Sequence, residues 1–220
     1  IAANAGNFDR CNGFVIRPIY VASNAGAPEA VDLGLSVKWA NMNLGATSPE
    51  DAGEYYGWGC TEPYATTDNV TWTLYFSKLG STVTAASDFG TDKDPLKAYV
   101  TNKTGIEGSA WDVAHCRFGG GWRMPTKAEL AELMAYANCS WQWMDDYHGV
   151  KGFMVTSKMP GFEGNCIFIP MSGYMIGSSL VTGESNYSWT GTPFTRTSQA
   201  WSQAADEENG KLIYSLDRYF

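Results

Sequence analysis

Positive charge, histidine and long apolar runs are what this 220-residue chain has least of. Its 15 Lys and Arg stand against 23 Asp and Glu, for a formal net charge of −8. Phosphates would be repelled rather than neutralised, so no nucleic-acid partner is expected. No apolar run approaches the ~20 residues that cross a bilayer, so no membrane insertion is expected either. A charged n-region followed by an apolar h-region is also missing. A leader already removed would leave the same picture, so this does not place the chain in the cytosol.

Histidine occurs twice, as His115 in a helical stretch and His148 in an apparent turn, and no serine sits in a Gly-x-Ser-x-Gly setting. The residues therefore offer no convergent catalytic group. Five cysteines, Cys11, Cys60, Cys116, Cys139 and Cys166, are odd in number, widely spaced and without a C-x-x-C pair. That argues against zinc and against a dense disulfide framework. One or two bridges stay open if the chain is exported. For most of these thiols the simpler expectation is a small buried apolar residue. Acidic groups at Asp92 and Asp94, Asp145 and Asp146, and Asp206, Glu207 and Glu208 supply oxygens but no calcium-loop spacing, and are read as solvated turns. No metal or cofactor is expected.

What is present is the material of a folded core joined by many turns: 44% hydrophobic residues, 9 Trp, 12 Tyr, 10 Phe and 24 Gly. Residues 14–20 read as a strand, with Pro18 confining its far end to an edge or terminus. Residues 21–30, small and Gly- and Pro-containing, read as a linker. "VDLGLSVKWANMNLG" alternates as one strand or as two broken at Gly34, with Val37, Trp39 and Met42 as core contacts. Residues 46–108 read as mostly irregular surface elaboration. Two helices are predicted, over 109–117 and 127–137. The first ends at Gly119-Gly120-Gly121; the second opens on a Thr126/Glu129 capping box. Strand candidates follow at 151–157, 165–170, 187–190, 199–204 and 211–216, with Asn209-Gly210 as a hairpin turn between the last two. The order of elements predicts an α+β fold.

Six ordered stretches then carry a resemblance: "VDLGLSVKWANMNLGA", "EYYGWG" followed by "TEP", "GGGWRMPTKAELAEL", "CSWQW", "GNCIFIPMSGY" and "SWTGTP". Together they resemble the Fibrobacter succinogenes major paralogous domain family of exported Bacteroidetes and Fibrobacter proteins. Its folds are C-type-lectin-like and formylglycine-generating-enzyme-like. The resemblance implies a C-type-lectin-like domain over 31–220, two helices packed on short antiparallel sheets, and an extracellular or cell-surface location. Family members close with a segment like Arg-Tyr-Tyr-Gly-Phe-Ser-Val-Arg-Pro-Val. Here those residue types stand at Gly13, Phe14, Val15, Arg17 and Pro18, whereas the printed sequence ends at Tyr219-Phe220. The implied arrangement is a strand within 1–20 taking the place of the closing strand through the 21–30 linker. A permuted order and a preceding repeat would both give this. A strand lent to a neighbouring chain is the rival, and the short linker favours the intramolecular form.

Formylglycine-generating relatives use a copper-binding cysteine pair, but neither Cys139 nor Cys166 lies in an oxidase motif. Sugar-binding C-type lectins hold calcium through Glu-Pro-Asn and Trp-Asn-Asp signatures. This chain has Glu62-Pro63-Tyr64, and Trp189 followed by Thr190 and Gly191. Both signatures are missing, and Trp189 is read as core. What the resemblance leaves is a recognition face in the C-terminal half, which related domains diversify through retroelements. Residues 174–203 mix rings with Ser, Gly and Asn, a composition suited to adaptable contact. The implied ligand-binding residues are Tyr174, Asn186, Tyr187, Phe194, Arg196, Trp201, Arg218 and Tyr219, with Asp9 and Arg10 beside them. The expected function is a non-catalytic, adhesin-like binding module with a glycan or protein ligand, monomeric unless the N-terminal strand is exchanged. A pilus-type assembly module acting by strand exchange is the main alternative, and a formylglycine-generating enzyme the weaker one.

Overall fold

Thr126 accepts from the Glu129 backbone N–H while the Glu129 carboxylate accepts from the Thr126 N–H, so the predicted capping box opens a helix as written. The computed structural model describes residues 10–20, 28–82, 91–102, 104–182 and 186–192. It shows a mixed α+β arrangement of four helices and three small antiparallel sheets. Four strands, β1 (Ile19–Tyr20), β2 (Ala30–Val31), β3 (Lys38–Ala40) and β4 (Trp122–Arg123), form one sheet in the order β2-β3-β1-β4. The helices are α1 (Trp72–Lys78), α2 (Lys97–Asn102), α3 (Val113–Phe118) and α4 (Lys127–Met134). A second sheet runs β5-β6-β7, from Cys139–Tyr147, Val150–Ser157 and Cys166–Pro170. The third is the hairpin of β8 (Tyr174–Ile176) and β9 (Ser179–Val181).

The N-terminal segment ties these parts together. Its alternation sends Phe14 and Ile16 into one apolar cluster, Val15 into another and Ile19 into a third, each at most 1% exposed. Its backbone bonds are shared among distant partners. Gly13 exchanges two bonds with Met175, Phe14 exchanges two with Tyr56, and the Val15, Ile16 and Pro18 carbonyls accept from Trp189, Leu44 and Ala40. A side chain at Gly13 would meet the Met175 Cβ at 2.9 Å, so only glycine permits this approach. The regular strand is therefore shorter than 14–20 and is not at an edge. β1 lies between β3 and β4, and Pro18 is tolerated because it stands one residue before the ladder and contributes only its carbonyl.

The stretch from Val31 to Gly45 is two strand segments rather than one. Gly34 (φ 72°) turns the chain, after which Val37 and Trp39 enter the core and Met42 is only half-buried. Of the linker, residues 21–27 lie outside the described residues, and Ala30 already belongs to β2. The described residues of 46–108 are mostly irregular, as expected, but they are not only surface elaboration. They carry α1 and α2 and supply Tyr56, Trp58, Cys60, Tyr75, Phe76, Leu79, Leu96 and Ile106 to the first cluster. The irregular backbone there is buried because its polar groups find partners, as where the Trp58 N–H donates to the Arg10 carbonyl.

α3 starts later than the predicted helix over 109–117. Asp112 caps it and accepts from the backbone N–H groups of Ala114, His115, Gly108 and Met124, which fastens both flanking loops. α4 ends at Met134 rather than 137, and Leu130, Leu133 and Met134 face the second cluster. β6 and β7 match the first two strand candidates, whereas residues 186–192 make isolated bridges only. The candidates at 199–204 and 211–216, and the Asn209-Gly210 turn, lie outside the described residues. Cys11, Cys60 and Cys139 are buried as expected; Cys116 and Cys166 are exposed, Cys166 at the outer start of β7.

Candidate functional site

Gly177 and Ser178 close β8 onto β9 as a two-residue turn, with Gly177 at φ 54° in the position that favours glycine. The turn is docked on the body of the protein, where the Val70 N–H donates to the Gly177 carbonyl at 2.7 Å. Alternation then sorts the hairpin into two faces. Met175 turns inward, fully buried among Val15, Tyr55, Tyr64 and Val70. Tyr174 and Val181 form one outward pair, and Ile176 and Ser179 the next. Ile176 is 43% and Val181 39% exposed, so aliphatic surface is held outward on a pinned hairpin.

Tyr174 links this face to the interior. Half-buried, its ring meets Tyr187 edge-on at 4.9 Å and lies 6.1 Å from Phe14. Phe14 in turn stacks on Tyr187 at 5.4 Å and packs tilted against Trp189 at 4.8 Å. Such ring pairs add ~0.5–1.5 kcal/mol each beyond burial, so the inner side of the site is rigid. Trp189 is wholly buried, as predicted for a core residue, and its indole N–H donates to the Tyr56 carbonyl at 2.6 Å.

The predicted contact residues therefore separate. Tyr187 is buried because its ring completes the Phe14 stack, and Asn186 is 4% exposed beside its bridge to Gly173. Arg10 is drawn inward to Asp94, its Nη2 2.6 Å from the carboxylate. These three do not form an exposed face, and of the four described candidates Tyr174 alone reaches the surface. Asp9, Phe194, Arg196, Trp201, Arg218 and Tyr219 lie outside the described residues. Ile176 and Val181 were not singled out from the sequence, although alternation around a Gly-Ser turn is the signal that marks them.

Elsewhere the chemistry is dispersed. His115 Nδ1 lies 3.3 Å from the Trp122 carbonyl, and His148 (φ 52°) turns the β5–β6 connection beside Glu50 at 3.6 Å. Burial pushes the Cys139 thiol up to about 11 and raises Cys60 further. Among the described residues, no group of three or more His, Cys, Asp or Glu side chains is placed to hold a metal ion. No helix among the described residues is long and apolar enough to cross a membrane. Comparison with protein-family models, curated proteins and solved structures found no match to this chain.

Proposed function

We propose that this chain is a non-catalytic binding module, presented outside the cell, that grips its ligand with the outer face of the β8–β9 hairpin. The observation that carries this is the exposed Ile176–Val181 pair beside Tyr174, on a hairpin anchored by Met175 and Val70. Apolar side chains fixed outward on a rigid support suit a docking surface, since little side-chain or backbone freedom is lost on contact. Two aliphatic residues beside a ring favour a protein surface over a sugar, for which a broad exposed ring would be the better platform. Phe194, Arg196, Trp201, Arg218 and Tyr219 complete the proposed contact set from the sequence that follows. The resemblance to Fibrobacter succinogenes major paralogous domains supports this reading, with the C-type-lectin-like scaffold and surface location it implies.

Screening the full chain on protein and glycan arrays, beside an Ile176→Ser/Val181→Ser variant, tests the proposal. Binding to a protein that the variant loses at unchanged melting temperature is the expected result. Ligands bound equally by both forms would reject the hairpin face. Glycan binding in place of protein binding would reject the ligand class.

A second reading rests on the N-terminal segment, which we take to fill the place of the related family's closing strand. Phe14, Val15, Ile16 and Ile19 are so fully buried that the fold is incomplete without them, and the same bonds would form with a segment from a neighbouring chain. Solution mass separates the two arrangements. A monomer that unfolds when residues 1–20 are removed supports completion within one chain, and a dimer or polymer lost on the same truncation supports strand exchange.

A further inference from the structure

The β5-β6-β7 sheet has two edges, and the described residues close only one of them. Odd-numbered residues of β6 bond to the β7 side, as where the Ser157 N–H donates to the Asn165 carbonyl. Even-numbered ones bond to the β5 side, as where the Lys158 N–H donates to the Asn138 carbonyl. The groups that β7 turns outward are therefore those of Cys166, Phe168 and Pro170. Arg17 Nη2 donates to the Phe168 carbonyl at 2.8 Å, the Ser172 N–H donates to the Pro170 carbonyl, and Pro170 has no N–H to offer. Proline and occupied carbonyls blunt an edge against further pairing.

β5 is left open. The same register turns the main-chain N–H and C=O groups of Trp141 and Trp143 outward, and no group among the described residues bonds to them. The strand is nine residues long, with Gln142 exposed and both indoles half-buried against Phe153 at 5.8 and 5.1 Å. Such an edge is a template for another strand. Its middle, Trp141-Gln142-Trp143, reads the same in both directions. Its charge does not. Asp145 and Asp146 stand exposed near its end, whereas Lys158 reaches the Tyr136 carbonyl at 2.6 Å and holds an ammonium beside its start.

We propose that β5 is a homodimer interface, on which a second copy of this chain lays its own β5 antiparallel about a twofold axis at Gln142. The palindrome selects the occupant, because a twofold axis needs one patch that complements itself. Pairing about Gln142 sets Trp141 opposite the partner's Trp143, and each such pair exchanges both of its main-chain bonds. The indoles then line up on the face that already carries Phe153, and aromatic pairs stabilise neighbouring strands. The charges select the direction. An antiparallel mate brings Asp145 and Asp146 towards the partner's Lys158, whereas a parallel one would set acid on acid. The two three-stranded sheets become one across the axis. Neither the β8–β9 hairpin nor the N-terminal segment takes part, so the interface is independent of the binding role and of strand exchange.

Sedimentation equilibrium of the full chain, beside Gln142→Lys and Gln142→Glu variants, tests this. Gln142 is exposed, so both variants should keep the parent's circular dichroism spectrum. Across the axis residue 142 meets its own copy, with Cβ atoms ~5 Å apart, so each substitution sets like charges face to face. Either variant alone should therefore dimerise about tenfold more weakly than the parent, or weaker still. With one variant ¹⁵N-labelled, native mass spectrometry of a one-to-one mixture should show a Lys/Glu heterodimer in preference to either homodimer. A parent chain that stays monomeric up to millimolar concentration would overturn the interface and leave the edge to another strand, residues 193–220 of the same chain among them. Dimers equally strong in the parent and both variants would also overturn it, since strand exchange at the N-terminal segment is blind to residue 142. Weakening in both variants without recovery on mixing would reject the axis at Gln142.

Discussion

Arg10 and Arg17 lie seven residues apart on one segment, both buried, and the protein accommodates them in opposite ways. Arg10 enters the first cluster and meets a carboxylate, Asp94, whose side chain is fully buried with it. The Trp58 and Tyr75 rings lie 5.6 and 5.7 Å from its guanidinium carbon. Arg17 stands between β3 and β7, where it meets two main-chain carbonyls and a small cavity. Both side chains do the same mechanical work, joining the N-terminal segment to chain more than twenty residues away. They differ in what removal strands: at Arg10 a buried carboxylate, at Arg17 no charge at all.

That difference sets the two largest predicted effects. Arg10→Met should cost about 3–5 kcal/mol in urea unfolding, because the buried Asp94 carboxylate loses its ion pair. Pairing it with Asp94→Leu should recover much of the loss. A double variant as weak as the single one would show that packing, not stranded charge, is what Arg10 supplies. Arg17→Met should cost only about 1–2 kcal/mol, since Ala40 and Phe168 each lose one donor while their strands stay paired. A cost equal to that of Arg10→Met would erase the distinction between the two sites.

Sequence reading reached the regular parts and missed the irregular ones for a physical reason. α4 was legible because its cap, its first-turn acid and its apolar face are local signals within nine residues. β6 and β7 were legible from short apolar runs. Residues 46–108 were not, because Tyr56, Trp58 and Tyr75 are buried by partners far along the chain rather than by any period of their own. The inward turn of Arg10 and Tyr187 was hidden likewise, since Asp94 and Phe14 decide it at separations of 84 and 173 residues. Of the candidate site, Tyr174 was named through the family resemblance. Ile176 and Val181 were passed over because aliphatic residues in a strand are more often core.

The half-buried ion pair at the start of α4 adds a smaller contrast to Arg10 and Asp94. Arg123 Nη1 and Nη2 meet the two Glu129 oxygens at 2.9 and 2.5 Å. Burial raises the Glu129 carboxyl, but Arg123 and the Thr126 N–H and hydroxyl outweigh it and hold the group below the usual glutamate range. A depressed carboxylate contributes stability that is complete above its unfolded value of 4.5 and is lost as pH falls through the folded one. Glu129→Gln should therefore cost about 1 kcal/mol at neutral pH and nothing once both forms are protonated. Thr126→Ala should cost about 1 kcal/mol by removing the cap. A parent-minus-Gln difference that stays constant from pH 7 to pH 2 would exclude the ion pair as its source.

The thiols read out the same boundary between inside and outside with no change in stability. Cys11, Cys60 and Cys139 are shut in the first two clusters, while Cys116 and Cys166 face solvent. A thiol reagent at neutral pH should label two cysteines quickly and the other three only as fast as the clusters open. Burial, and then Asp112, raises the Cys116 thiol, so its labelling should lag a free cysteine and catch up as pH increases. Arg10→Met should speed labelling of Cys11 and Cys60, which share its cluster, far more than that of Cys139. Arg17→Met should leave the Cys11 and Cys60 rates nearly unchanged. Equal acceleration of all three buried thiols by Arg10→Met would mean that the clusters open as one unit, and that the two arginines, however differently paired, guard a single cooperative core.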